Sequence, residues 1–342
     1  MKSYTIALMP GDGIGPELTE ATLKVLEAVQ RKSGIDLTMV KVEAGDDCLK
    51  KRGAPLPQDT VETIKASNAC LKGPVGETAA DVIVKLRLIF DLYANIRPIK
   101  SYPNVPSMGS RINLVIVREN TEDVYRGIEF DLDKDTAVCM RVITRRGSER
   151  IAKYAFETAR NRKDKLRVTA VHKANVMKKT CGLFIQACRD VAKLYPDITL
   201  DEMYVDNAAM QLIKRPNEFD VLVTTNMFGD ILSDEASILV GGLGMAPGAN
   251  IGDDFALFEP VHGSAPKHAG KQVANPCSMI LASGMMLEWL GRKYSDIQCK
   301  KASEDMEEAL IKTLKAGILT QDLGGKTRTG EFGEAVAKRI LS

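Results

Sequence analysis

The sequence has no excess of either charge. Its 47 Lys and Arg stand against 45 Asp and Glu, a balance that points to neither a nucleic acid nor a membrane surface as partner. No apolar run approaches the length of a transmembrane span, and the opening residues Met1-Lys2-Ser3-Tyr4 enter a strand pattern without a secretory leader. Histidine is scarce at three residues, which excludes a His-rich metal site. The seven cysteines are scattered, odd in number and free of any CxxC pair. They read as reduced thiols of a cytoplasmic protein, mostly small buried residues. Two nucleotide signatures are missing as well. There is no P-loop, and Gly11, Gly13 and Gly15 alternate, whereas a dinucleotide fingerprint places its third glycine three residues after the second. Pro16 also removes an N–H that a phosphate would want, so this segment reads as a tight strand-to-helix turn. Neither an internal repeat nor a low-complexity tract is present.

What is there is a long chain with ample apolar material. Its 342 residues, 44% of them hydrophobic, suggest two domains or one large α/β unit. The most informative stretch runs from Asn226 to Glu235. Asp230 and Asp234 stand four residues apart, so a helix would project both carboxylates from one face. Either acid alone would be an ordinary solvated residue. Side by side they repel unless a cation sits between them, and oxygen ligands without Cys or His favour Mg²⁺ or Mn²⁺. Upstream, Phe219 to Thr225 is an apolar run that reads as a buried strand feeding this helix. The carboxyl end of such a strand is where α/β proteins place ligands.

The same strand–junction–helix unit recurs along the chain, so a mostly parallel sheet with flanking helices is expected. Thr5–Met9, Leu37–Glu43, Asn68–Lys72, Asn113–Val117 and Leu166–Val171 read as strands. Residues 81–87 read as a helix, and Arg87 and Arg97 bracket the turn that follows. Residues 128–146 suggest a hairpin-like excursion, with 136–144 its best strand. Residues 240–248 read as a flexible glycine-rich return, and 259–271 as a polar loop too rich in small residues to be core. Helices are expected at 275–290 and 303–316. Four junctions carry reactive residue types: Arg118 with Tyr125, Lys173, Asp206, and the Asp230/Asp234 pair. Three acids suit a metal, three arginines suit carboxylates, and a lysine and a tyrosine suit proton transfer. Each residue alone has a commonplace role, and only their convergence gives the set a meaning.

Five stretches carry a specific likeness: Asp91-Leu92-Tyr93-Ala94-Asn95-Ile96-Arg97-Pro98, Arg118-Glu119-Asn120-Thr121-Glu122-Asp123, His172-Lys173-Ala174-Asn175-Val176-Met177, Gly229-Asp230-Ile231-Leu232-Ser233-Asp234, and Glu259-Pro260-Val261-His262-Gly263-Ser264-Ala265-Pro266. Together, in this order and almost end to end, they resemble the β-decarboxylating hydroxyacid dehydrogenases, which act on 3-isopropylmalate, isocitrate or homoisocitrate.

The resemblance implies a two-domain α/β fold of the isocitrate/isopropylmalate dehydrogenase type, not a Rossmann fold. A large discontinuous domain would span 1–98 and 248–342, and a second domain 99–247, with an intersubunit arm near 128–146. It implies a homodimer with shared active sites, to which the partner contributes Lys173 and Asp206. Arg87, Arg97 and Arg118 would hold two substrate carboxylates. Asp206, Asp230 and Asp234 would bind Mg²⁺ or Mn²⁺, lowering the pKa of the C2 hydroxyl. Lys173 would take that proton, hydride would pass to the nicotinamide, CO₂ would leave, and Tyr125 would help protonate C3. NAD or NADP would lie against Glu259, His262, Gly263, Ser264, Ala265, Lys267, His268, Asn275 and Asp322. Lys267 suits a 2′-phosphate, whereas His268, Gln321 and Gly325 stand where NADP enzymes of the family place further contacts. Ile83 and Val84 offer an apolar wall suited to an isopropyl group, and Asp81 would repel a third carboxylate. Glu122-Asp123 and Lys267 are commoner among isocitrate enzymes. The substrate order is therefore 3-isopropylmalate, isocitrate, homoisocitrate. From another class, a non-catalytic regulatory subunit would have lost metal or base residues, and this chain keeps them.

Overall fold

The computed structural model describes residues 2–79, 81–109 and 111–342; Met1, Ala80 and Ser110, which fall within the expected domain ranges, lie outside them. The chain begins with β1 (Ser3–Met9), α1 (Gly15–Ser33), β2 (Asp36–Lys41), α2 (Asp46–Arg52), α3 (Gln58–Lys65), β3 (Ala69–Lys72) and α4 (Asp81–Ile89). Strands β4 (Ala94–Lys100) and β5 (Asn113–Glu119) lead to the small pair β6 (Glu129–Asp133) and β7 (Thr136–Cys139). There follow α5 (Arg145–Arg162), β8 (Arg167–His172), α6 (Thr180–Ala192), β9 (Thr199–Tyr204), α7 (Val205–Lys214), β10 (Val221–Thr224) and α8 (Asn226–Ile238). The chain closes with β11 (Pro247–Ile251), β12 (Ala256–Pro260), α9 (Cys277–Lys293), α10 (Ile297–Lys315) and α11 (Thr329–Leu341). No helix among the described residues is long and apolar enough to cross a membrane.

Local chemistry accounts for several of these boundaries. Helix α1 opens with Pro16 and Glu17 in its first turn, ends with Arg31 and Lys32, and is closed by Gly34 at φ 71°, whose N–H bonds the Gln30 carbonyl. Proline at the start, glycine at the end and charges set against the helix dipole all favour that span. Helix α10 is capped by Asp296, whose side chain accepts from the Gln298 N–H. Strand β10, Val-Leu-Val-Thr, is buried throughout, as a strand covered on both faces must be.

Among the described residues, ten strands form one sheet in the order β2-β1-β3-β12-β11-β4-β5-β10-β8-β9. The outer portions are parallel, as expected. The centre is not: β11 runs antiparallel to both β12 and β4, and β4 antiparallel to β5. The sequence reading missed this because β11 and β12 are short and carry glycine, proline and polar residues. The supposed return at 240–248 therefore ends inside a buried strand, and Glu259 belongs to β12 rather than to a loop. Likewise Arg97 lies within β4, not at a turn. The helices expected at 275–290 and 303–316 are longer, and α11 was not foreseen. The excursion does form a separate antiparallel pair, but its second strand stops at Cys139.

Alternate residues of a strand share a face, so the sheet has two distinct sides. On one, β5 and β10 place Leu114, Ile116 and Leu222 against Leu232 and Ala236 of α8, against Leu239 just after it, and against Leu212 of α7. Farther along the same side, Ala7, Met9, Cys70 and Leu257 pack against Val82 and Leu86 of α4. The opposite side is covered by one large apolar cluster involving α1, α5, α6, α9, α10 and α11. The first side thus has two apolar patches with a break between them, and the residues in the break are polar: Lys72, Asn95, Arg97, Arg118, Asn250 and Glu259, all buried.

Candidate active site

The break in the apolar cover is where six of the expected site residues, Arg87, Arg97, Arg118, Tyr125, Asp230 and Asp234, converge. Arg118 is the penultimate residue of β5 and pairs with Thr224 at the end of β10; α8 begins two residues later, so the end of β5 faces the first turn of the helix. Arg118 Nε donates to Asn226 Oδ1 at 2.9 Å, and its Nη1 bonds Asp230. Gly229 makes this possible, because a Cβ there would stand 2.6 Å from Arg118 Cγ. Asp230 also accepts from the Tyr125 hydroxyl, and the Arg118 guanidinium lies 5.1 Å from the centroid of the Tyr125 ring. Burial opposes ionisation of Asp230, but Arg118 first, then Tyr125, Arg97 and Arg87, hold its carboxyl below the usual range. Asp234, one turn on, is pushed up by burial and by Asp230 itself. Burial likewise raises the Tyr125 hydroxyl, which keeps it a proton donor.

Arg97 and Arg118 face the same side, because Asn95 pairs with Arg118 across the β4–β5 ladder and Arg97 lies two residues from Asn95. Arg87 arrives from α4. Burial lowers both Arg87, to about 10, and Arg97, and in each the proximity of Arg118 deepens the shift. Three guanidinium groups crowd one buried region, a concentration of positive charge that suits anionic groups. Ile83 and Val84 precede Arg87 by four and three residues on the same helix and are half-buried, while Asp81 forms an exposed pair with Lys85.

Beneath the arginines lies a network that the sequence reading did not anticipate. Asn250 Oδ1 accepts from Arg87 Nε at 3.1 Å, Asn95 Nδ2 at 2.8 Å and Asn120 Nδ2 at 2.9 Å. Its Nδ2 donates to Glu259 Oε1 at 2.8 Å. Glu259 Oε2 in turn accepts from Lys72 Nζ at 2.8 Å, and Asn95 Oδ1 from Arg97 Nε at 2.6 Å. Burial works against the Glu259 carboxylate, yet Lys72 and Arg87 hold its pKa at about 2. A lysine ending an otherwise apolar strand and an amide inside Pro-Gly-Ala-Asn-Ile were the available signals.

The expected cofactor segment follows β12. The main chain of Ser264 accepts from the Ile14 N–H at 2.9 Å, and a Cβ on Gly13, at φ 59°, would sit 2.0 Å from the Ser264 carbonyl oxygen. The glycine turn after β1 is therefore shaped by close contact with this segment. Asn275 Nδ2 donates to Asp322 Oδ2 at 2.9 Å, and burial lowers the nearby His262. Gly263, Lys267 and His268 are exposed, and Ala265 adopts a left-handed conformation at φ 40°.

Two expected participants lie elsewhere. Lys173 Nζ bonds Asp206 Oδ1 at 2.6 Å, with side chains 23% and 65% exposed. Among the described residues no three His, Cys, Asp or Glu side chains of one chain are placed to hold a metal. Asp230 and Asp234, all-oxygen donors one helical turn apart, fit half a hard-cation site. A face near the separated pair is apolar and uncovered: Tyr204, Met210, Ile213, Ile231 and Ile238 are exposed on β9, α7 and α8. Phe130 and Leu132 of the excursion are exposed too. A cleft of about 490 Å³ opens on the reverse side of the sheet, lined by Ile96, Pro98, Tyr154, Met285 and Trp289 among others, and holds none of the expected site residues.

The family described as isocitrate/isopropylmalate dehydrogenase matches residues 5–336. The 3-isopropylmalate dehydrogenase of Methanothermobacter thermautotrophicus is 50% identical over 340 residues, covering 99% of each chain. That of Archaeoglobus fulgidus is 51% identical over 335 residues, covering 98% of this chain and 99% of the other. The crystal structure of isocitrate dehydrogenase from Methylococcus capsulatus superposes with a TM-score of 0.92 at 44% identity, covering 99% of this chain and 100% of that one. The chain therefore belongs to the isocitrate/isopropylmalate dehydrogenase family, as an oxidoreductase that decarboxylates a hydroxyacid.

Proposed function

We propose that this enzyme carries out metal-dependent oxidative decarboxylation of a 3-substituted (2R,3S)-malate with NAD or NADP, and that its substrate is 3-isopropylmalate, an intermediate of leucine biosynthesis. Members of the family use a pyridine nucleotide and a divalent metal. The observation that carries the reaction is the meeting of Arg87, Arg97 and Arg118 with Asp230 and Tyr125 in the break between the two apolar patches. Guanidinium forks match carboxylates bidentately, so the arginines would hold the two carboxylates common to these substrates. Asp230 and Asp234, with Asp206 of a second copy, would hold Mg²⁺ or Mn²⁺. When bound, the cation polarises the C2 hydroxyl and its neighbouring carboxylate, and the nicotinamide accepts the hydride from C2. Lys173 Nζ of the second copy takes the hydroxyl proton, and Tyr125 Oη returns a proton to C3 after CO₂ has left.

The assembly proposed is a homodimer formed through α7, α8 and the β6–β7 arm, whose exposed apolar residues support it. The domain division at 98–99 and 247–248 is supported by the apolar patches: every buried residue of one lies within 99–247, and every buried residue of the other outside it. The cysteines, all free and six of them buried, suit a cytoplasmic enzyme.

Substrate choice rests on α4. Among the described residues Val84 is half-buried and outside the apolar clusters, which leaves it to face an alkyl group, whereas Ile83 already packs partly against a cluster. Glu122 and Asp123 do not argue for isocitrate: Glu122 is bonded by Thr144 and Asp123 by Arg141, at the root of the arm. A matrix of kcat/KM for 3-isopropylmalate, isocitrate and homoisocitrate with NAD and NADP, in Mg²⁺ and in Mn²⁺, tests the proposal. The 3-isopropylmalate arm is expected to lead by about 10-fold or more, with turnover abolished by EDTA. A lead for isocitrate would overturn the substrate assignment. Absence of turnover in every arm would instead favour a regulatory subunit.

A further inference from the structure

We propose that Asn250 is a positioning residue that couples the affinity of the hydroxyacid site to that of the nucleotide site, an inference that rests on the reaction proposed above. Asn250 is fully buried in β11, between the two partners that matter. Its oxygen takes Arg87, which comes from the substrate-facing side of α4, and its amide nitrogen gives to Glu259, three residues before His262. The amide orientation follows from its surroundings. Turning it over would aim its N–H groups at the Arg87, Asn95 and Asn120 donors and its oxygen at a carboxylate.

The chemistry admits few alternatives. A side chain here must accept from a guanidinium and donate to a carboxylate while carrying no charge of its own. An apolar residue would leave donors and an acceptor buried without partners. An aspartate would pair with Arg87 but set two carboxylates against each other, and would reduce the positive charge that Arg87 offers to substrate. Because Arg87 and Glu259 are otherwise joined only at a 3.7 Å separation, Asn250 is the short link between them. When substrate draws Arg87 toward its carboxylate, the shared oxygen shifts, and the amide bond that steadies Glu259 shifts with it. Asn95 joins Arg97 to the same oxygen, so two of the three arginines report to one atom.

Such a link has a thermodynamic signature, because coupling between two sites is reciprocal. The experiment is isothermal titration of 3-isopropylmalate in Mg²⁺, with and without the reduced nucleotide, NADH or NADPH, which cannot accept a hydride and so forms a stable ternary complex. It is run on the wild type, Asn250→Asp and the milder Asn250→Ser, with a melting curve for each. In the wild type the nucleotide is expected to change hydroxyacid affinity about 5-fold or more. In both variants that factor is expected to fall to near one while each chain still melts cooperatively. Retention of the wild-type factor in Asn250→Ser would overturn the inference and leave the proposed reaction standing. So would a wild type without coupling, or a serine variant that no longer melts cooperatively, since Asn250 would then be only a scaffold. A wild type that binds no 3-isopropylmalate would instead remove the proposed substrate assignment, and this inference with it.

Discussion

A Lys173→Met chain is expected to lose about 10³-fold in kcat, within the range that a positioned general base contributes, while its hydroxyacid and Mg²⁺ affinities change little. Lys173 stands at the junction after β8, with its side chain 23% exposed and its ammonium group in an exposed bond to Asp206. Its removal therefore opens no large cavity, and the fold is expected to survive. Methionine keeps much of the length of the side chain and removes the ammonium group. Asp206 loses its ion-pair partner, which lets its lowered carboxyl pKa relax toward the ordinary value. The decisive comparison is kcat from steady-state rates against the dissociation constant of 3-isopropylmalate from titration. A variant with kcat within 10-fold of wild type would remove Lys173 from the proton transfer. One with unchanged kcat but weakened affinity would make it a binding residue instead.

The largest effect on stability is expected from Lys72→Met. Lys72 and Glu259 form an ion pair with both side chains almost fully buried. Breaking such a pair from one side commonly costs about 3–5 kcal/mol, because the remaining charge is left in a poor solvent. The pH dependence fixes the sign. In the wild type the folded-state pKa of Glu259 lies near 2, below the ordinary carboxylate value of 4.5. The stabilisation it contributes is therefore complete above the ordinary value and lost as pH falls through the folded one. Without Lys72 the buried carboxyl shifts upward, and the variant gains from protonation that the wild type resists. The deficit of Lys72→Met, read from urea midpoints, is thus expected to be greatest near pH 7 and to shrink as pH drops toward 4. The double variant Lys72→Met with Glu259→Gln should recover part of the loss, since it removes the stranded charge. A single variant as stable as wild type at pH 7 would show that Arg87 and Asn250 alone sustain the carboxylate.

The parts of this molecule that were legible in its sequence are local ones. Pro16 and the stripe of Leu18, Val25 and Leu26 announce α1, and Asp230 with Asp234 can be read as a one-turn pair because a helix has a fixed period. The strand before that pair is legible from its apolar run Val221-Leu222-Val223. The centre of the sheet was not. Strand β12 pairs with β3, bringing Leu257 beside Cys70, and β11 lies between β12 and β4. Nothing local records such pairings, and the buried polar residues of β11 and β12 hide them from any hydrophobic pattern. The same holds for charge. Lys72 looks like a lysine at a strand end until Glu259, 187 positions away, is set against it. The grouping of Arg87, Arg97 and Arg118 could be suspected from motif likeness, but the amides of Asn250, Asn95 and Asn226 that accept their hydrogen bonds could not, because a hydrogen-bond network is a property of folded neighbours.

The stranding of Lys173 and Asp206 away from Asp230 and Asp234 has a genetic corollary. In the proposed assembly, each reaction centre draws on two chains, so a lesion in one chain is felt in a centre that its sister mostly builds. Two inactive alleles, one lacking Lys173 and the other lacking Asp234, would then rescue one another when expressed together. The mixed pair has one centre with both defects and one with neither. Two alleles damaged on the same side of that divide would stay silent in any mixture.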